Sequence, residues 1–320
     1  MPVPPRPIRR DPEALFKAAR EGDRTALARM LSVIERGGEE ARTVGRLAFA
    51  ESGGGYAVGL TGAPGAGKST LTDRLIATIR QGGGEVGVLA VDPSSPYSGG
   101  AILGDRVRMQ DHALDAGVFI RSMASRGHLG GLSLATREAI RALEAVGLPL
   151  VLVETVGVGQ VEVEIAGAAD TTVVVVNPGW GDAVQANKAG LLEIADVFVI
   201  NKADREGVRE TEQDLRRMLE MSAPSAWTPP IVSCVASTGS NVGEVWSAIE
   251  SHRAAQEADG SLARRRERRL EEELREIVLR QLEARAWARL EDGRYKELLA
   301  DLLERRIDPY TAAAALTEEG

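Results

Sequence analysis

The sequence predicts an α/β fold, a doubly wound and mostly parallel sheet with N-terminal helices and a C-terminal helical arm. Short β-branched runs alternate with helical patterns through the middle of the chain, the rhythm of strand-helix-strand units. The runs are apolar throughout, so each strand is covered on both faces. They are Tyr56 to Leu60, Val86 to Val91, Val118 to Met123, Leu150 to Glu154, Thr171 to Val176, Val197 to Ile200 and Ile231 to Cys234. Ligands of such sheets bind beyond the carboxyl ends of the strands, and the polar signatures of this chain fall there.

The end of the first run is the most informative. Gly62, Ala63, Pro64, Gly65, Ala66, Gly67, Lys68 and Ser69 fit the phosphate-binding pattern G-x-x-x-x-G-K-[ST] in full, and Thr70 continues into a helical segment. Glycines let backbone N–H groups turn inward around phosphates, and the helix N-terminus adds the positive end of its dipole. Lys68, read as lying on a surface loop, is placed to reach the β- and γ-phosphates, and the Ser69 hydroxyl to ligate Mg²⁺. A chance match in a chain of 35 glycines is the competing reading, and the strand-turn-helix placement argues against it.

Composition sets the bounds. The 320 residues suffice for one large α/β domain with accessory helices, and 43% hydrophobic with only 4% aromatic content predicts an aliphatic core. A net charge of −8 disfavours a general polyanion-binding surface, so nucleic acid is not expected as a partner. Cys234 is the single cysteine, which excludes an intrachain disulfide and suits a reducing cytoplasm. No apolar run approaches the ~18 residues that span a bilayer, and the Pro-rich start lacks a signal-peptide core. A cytoplasmic protein without membrane attachment is the expectation.

At the N-terminal end, Asp11 to Glu35 reads as one helix and Glu39 to Ala50 as a second, before a break at Gly53-Gly54-Gly55. After about residue 258 the chain becomes dense in charge of both signs, with Leu270, Leu274, Ile277 and Gln281, flanked by Val278 and Leu282, forming one stripe. That stripe fits a helix packed on its own domain or a self-association seam. The expected division is a helical segment over 1–52, a nucleotide domain over 53–256 and a helical dimerisation arm over 257–320.

Asn201-Lys202-Ala203-Asp204 follows the sixth run, and N-K-x-D selects guanine. Asp204 can accept from both the ring N1–H and the exocyclic amine, a donor pair that adenine does not offer. Asn201 is expected to hold the loop and meet the N7 edge, with the Lys202 stem along the base. Ser233 and Ala236 close the last strand, where the Ala236 N–H is expected to reach guanine O6, though small loop residues fit plain packing equally well. For Mg²⁺, Ser69 is joined by three carboxylates near strand ends: Asp92, Asp105 and Glu154. Glu154 opens Glu154-Thr-Val-Gly157, a D-x-x-G switch with the longer acid, expected to reach the metal through a water or a displaced strand. Val158 follows that glycine and cannot orient water. Slow hydrolysis is expected unless Gln160, or a partner, supplies the group; the catalytic set is Lys68, Glu154 and Gln160.

With Asp92-Pro-Ser-Ser-Pro-Tyr-Ser-Gly-Gly-Ala-Ile-Leu-Gly-Asp105-Arg and Glu154-Thr-Val-Gly-Val-Gly-Gln160 in hand, the chain resembles the MeaB/ArgK/MMAA family of P-loop GTPases, from about Tyr56 to His252. The resemblance implies a GTP- and GDP-binding, Mg²⁺-dependent chaperone that gates adenosylcobalamin loading and protects or reactivates a coenzyme-B12-dependent acyl-CoA mutase. Methylmalonyl-CoA mutase or a close relative is the implied partner, and the adenosylcobalamin belongs to it. It further implies a homodimer joined through the C-terminal arm, and a partner-sensing switch in the loop Pro178 to Lys188, with Asp182, Gln185 and Lys188. Two departures concern the partner and the base loop: Val235 stands where the family often has Ser, and Arg121 to His128 differs from the stretch of the methylmalonyl-CoA mutase chaperones. Two rival activities are a small-molecule or protein kinase, which needs a second pocket that the sequence does not display, and a nickel-insertion GTPase. The latter needs a cluster of soft or imidazole ligands, and the 3 histidines are scattered.

Overall fold

The computed structural model describes residues 11–93, 112, 114–125, 131–155, 167–179, 193–221, 226–290 and 294–317. Seven strands form the sheet: β1 (Tyr56–Thr61), β2 (Val86–Pro93), β3 (Val118–Ser125), β4 (Leu150–Thr155), β5 (Thr171–Val176), β6 (Val197–Ile200) and β7 (Ile231–Ser233). Their order is β3-β2-β4-β1-β5-β6-β7, with all neighbours parallel. β1, which carries the phosphate-binding octet at its end, thus lies in the middle of the sheet, between β4 and β5.

The helices of the nucleotide-binding core are α4 (Lys68–Gln81), α5 (Gly131–Ala145), α6 (Val208–Met221) and α7 (Val242–Asp259), preceded by α1 (Pro12–Arg20), α2 (Arg24–Arg36) and α3 (Glu39–Glu51). Strand residues alternate between two cores, as the two-residue period requires. Leu150 and Leu152 join Val58 and Leu60 beneath α4 and α7. Val151 and Val153 join Leu89 and Val91 beneath α5 and α1 to α3. Val174, Val176, Phe198 and Ile200 form a third cluster with Leu215 of α6. Each fully buried Val or Leu contributes about 1.5–3 kcal/mol, so the apolar runs are what hold the sheet in place.

The expected single helix over Asp11 to Glu35 is two helices. Gly22 adopts φ 94 and Asp23 caps α2, accepting from the Thr25 and Ala26 amides at 2.8 and 3.0 Å. A capping acid after a left-handed glycine stops one helix and starts the next. The break lets Leu15, Phe16, Leu27, Met30, Leu31 and Ile34 all face the sheet core. Arg24 then donates to the Asp115, Ala116 and Val118 carbonyls at the start of the edge strand β3.

A second polar region lies at the amino ends of the strands. The Tyr56 and Thr171 hydroxyls are 2.5 Å apart, Thr171 Oγ1 meets His252 Nδ1 at 2.8 Å, and Tyr56 donates to Gln256 at 3.1 Å. His252 Nε2 faces Asp196 Oδ1 at 3.4 Å, and Asp196 Oδ2 accepts from the Thr172 amide at 2.8 Å. His252 is 2% exposed, so this network pins α7 to β1, β5 and β6 in a region closed to water.

The chain divides into two compact units, Met1–Ala263 and Arg264–Gly320. Helix α8 (Ser261–Leu290) runs into the second, followed by α9 (Arg294–Leu303) and α10 (Pro309–Thr317). Asp308 caps α10, accepting from the Tyr310 and Thr311 amides, and its hydrogen bonds from Thr311 hold its carboxyl below the usual range. Among the described residues no helix is long and apolar enough to cross a membrane.

Candidate functional site

The phosphate loop owes its shape to two glycines. Gly62 adopts φ 130, and a Cβ there would stand 2.0 Å from the Val175 carbonyl oxygen; Gly67 adopts φ 92, and a Cβ there would stand 2.3 Å from the Asn201 amide nitrogen. Neither position admits a side chain. Gly67 is also the N-cap of α4 and has no side chain to cap it, and a helix N-terminus of this kind suits an anion. Lys68 is not on a surface loop. It opens α4 and is 5% exposed, with Nζ donating to the Gly62 and Ala63 carbonyls at 2.6 and 3.1 Å. The loop curls around its own lysine, whose charge would otherwise be buried without acceptors.

Glu154 pairs in register with Leu60, and by strand alternation its side chain falls on the α4 face with Leu150 and Leu152. There Ser69 Oγ donates to Glu154 Oε1 at 2.5 Å, both residues being buried. Glu154 therefore reaches Ser69 directly, because β4 is the immediate neighbour of β1. An alcohol and a carboxylate oxygen brought together beside a phosphate loop fit a hard cation such as Mg²⁺. Asp92 ends β2, but its side chain, together with Asp105, Gln160, Asp182, Gln185 and Lys188, lies outside the described residues.

Asn201 follows β6 and ties three segments together. Its Nδ2 donates to the Ala66 carbonyl at 2.8 Å, and its Oδ1 accepts from the Ala236 amide at 3.0 Å and from the Cys234 thiol at 3.7 Å. Holding the loop, one of its two expected tasks, is thus its visible work. The Ala236 N–H expected at guanine O6 is committed to Asn201 in this structure. Lys202 adopts φ 60 and donates from Nζ to the Gly65 carbonyl at 2.6 Å, so its stem bridges the base loop and the phosphate loop. Asp204 is exposed, and among the described residues its carboxylate accepts no hydrogen bond, which leaves both oxygens for a ligand. Ser233 ends β7, and its carbonyl accepts from Asn241 at 3.1 Å. Burial pushes the Cys234 thiol up to about 11.

Sequence reasoning missed two contributors. Arg74, on the outer side of α4, reaches the Ala236 and Ser237 carbonyls at 3.3 and 3.4 Å. Thr155 donates to Thr61 at 3.4 Å across the β1–β4 pair, just below the phosphate loop. Thr155 lies at an unspecified position of the Glu154-to-Gly157 motif and Arg74 in none, and an arginine within a helix carries no sequence signal of where its guanidinium goes.

The family model described as "Methylmalonyl Co-A mutase-associated GTPase MeaB" matches residues 27–291. A putative GTPase of Pyrococcus abyssi (strain GE5 / Orsay) is 47% identical over 311 residues, 96% of each chain. The GTPase ArgK of Escherichia coli (strain K12) is 35% identical over 315 residues, 95% of each chain. The crystal structure of a LAO/AO transport system kinase superposes with a TM-score of 0.72 at 27% identity, covering 96% of this chain and 97% of that one. The expected P-loop GTPase fold and the family resemblance are both borne out. With the phosphate loop, the strand-end glutamate and the N-K-x-D loop brought to one edge of the sheet, the chain belongs to the MeaB family of GTPases.

Proposed function

We propose that this GTPase hydrolyses GTP slowly, with Mg²⁺, and serves as a chaperone for a coenzyme-B12-dependent acyl-CoA mutase. The observation that carries the guanine reading is the Asp204 carboxylate, exposed and without a donor among the described residues, on a loop that Asn201 and Lys202 tie directly to the phosphate loop. Ser69 and Glu154 are the residues that would hold the metal, with Asp92 and Asp105 completing the set; the bound cation would neutralise phosphate charge. Lys68 supplies the fixed positive charge beside it. Turnover is slow because Val158 cannot orient water, and the mutase completes the site through Asp182, Gln185 and Lys188.

The stripe on α8 supports a homodimer: Leu270, Leu274, Val278 and Leu282 are four residues apart and 45%, 64%, 45% and 54% exposed. The compartment is the cytoplasm, consistent with a single buried cysteine. Calorimetry with GDP and ADP tests the base: GDP should bind at least about 100-fold more tightly, and Asp204→Asn should remove most of that preference. Equal affinities would end the guanine reading. GTP turnover should rise on adding methylmalonyl-CoA mutase or a related mutase, and should respond much less in Asp182→Ala and Lys188→Ala.

A further inference from the structure

In the loop that follows β7, the Ser237 amide donates to no acceptor among the described residues. The Cys234 amide donates to Ile200, Val235 to Ser240, Thr238 to Val235 and Gly239 to Ala236, and Ala236 to the Asn201 side chain. Between Cys234 and Gly239, the Ser237 N–H is the one that finds no acceptor among the described residues. The two carbonyls that flank it, those of Ala236 and Ser237, are the two that Arg74 holds, through Nε and Nη2 respectively.

Peptide geometry connects the two facts. No cis peptide bond occurs in the described structure, so the Ala236 C=O and the Ser237 N–H of their shared peptide point in opposite directions. A guanidinium that draws the Ala236 oxygen toward α4 therefore turns the Ser237 N–H away from α4. The opposite side of the same loop is held by Asn201, which also grips Ala66, two residues before α4 begins. Phosphate loop, Asn201, base loop, Arg74 and α4 thus form a closed circuit of bonds. Leu71 and Leu75 of α4 packed with Val242 and Val245 of α7 keep its frame rigid.

We propose that Arg74 is a positioning residue for base selectivity, and that it holds the Ala236–Ser237 peptide so that the Ser237 N–H serves as the donor to the purine O6. This rests on the guanine reading above and adds the group that reads the six position, where Asp204 reads the N1 and amine edge. Arg74 touches neither phosphate nor base itself. It acts through the peptide that it aligns, and it makes the phosphate-binding helix and the base loop one mechanical unit.

The test uses the full chain and a ligand altered at one atom. In 6-thio-GDP a poor acceptor replaces O6 while the N1–H and the amine remain. Wild-type protein should bind GDP several-fold more tightly than 6-thio-GDP. Arg74→Ala should raise the Kd for GDP about three- to tenfold, the range of one net hydrogen bond, and change the Kd for 6-thio-GDP less than about twofold. Arg74→Lys, which keeps one donor, should fall between. Equal weakening of both ligands, as a merely structural arginine would produce, or no weakening of either, overturns the proposal while leaving the GDP-over-ADP preference intact. Loss of that preference in the wild type would instead remove the guanine reading and this inference with it.

Discussion

The two edges of the sheet carry similar chemistry and put it to opposite uses. At the amino edge, Tyr56, Thr171, His252, Asp196 and Gln256 bond to one another in a region closed to water. At the carboxyl edge, Lys68, Asn201 and Lys202 bond chiefly to loop carbonyls, while the Asp204 carboxylate and the Ser237 amide have no protein partner among the described residues. The difference lies in what approaches each edge. Helix α7 and the Trp227 ring, 4.8 Å from His252 between centroids, cover the amino edge. The glycine-rich loop and the N-terminus of α4 give the carboxyl edge backbone donors that suit an anion. A buried polar network with every partner inside the protein specifies structure; one that ends in open donors specifies a ligand.

If the edges are separate in this way, a change at one should move function and a change at the other stability. The largest expected effect is at the carboxyl edge. Lys68→Ala should lower GTP turnover at least about 100-fold, because the transition-state charge loses its fixed cation. Its melting temperature should change far less than its rate, and a collapse of the fold would mean that Lys68 is chiefly structural. At the amino edge, His252→Ala removes one partner each from the Asp196 carboxylate and the Thr171 hydroxyl and leaves a cavity, which should cost about 2–4 kcal/mol in denaturant unfolding. The GDP affinity of that variant should stay within about twofold of wild type; a tenfold loss would show that α7 transmits strain between the edges.

The smallest effect concerns Cys234, which sits between Asn201 and the sheet. Its thiol is raised from an ordinary 9.0 to about 11 by burial. The folded state therefore prefers the neutral thiol. Its contribution to stability is complete below pH 9.0 and is lost as pH rises from 9.0 to about 11. A thiol reagent at pH 8 should leave the folded protein unmodified and react once it is unfolded. Rapid reaction in the folded state would mean that the loop around Asn201 opens.

Much of this was legible in the sequence, for a local reason. The octet from Gly62 to Ser69 and the tetrapeptide from Asn201 to Asp204 are contiguous, and their chemistry depends on backbone conformations that their own residues impose. The seven strands were visible because a parallel strand buried on both faces must be apolar at every position. The helix break at Gly22 was written as Gly-Asp, yet the apolar spacing continued across it and concealed it. What only the tertiary structure decided was which groups are already spoken for. The sequence offered Ala236 as the O6 donor; in the fold that amide donates to Asn201, and the Ser237 amide finds no acceptor among the described residues. It placed Lys68 on a surface loop, and the fold buries it against the Gly62 carbonyl. Arg74 and His252 carried no signal at all, because hydrogen bonds between segments 162 and 81 residues apart depend on the packing of whole elements, which no local pattern contains.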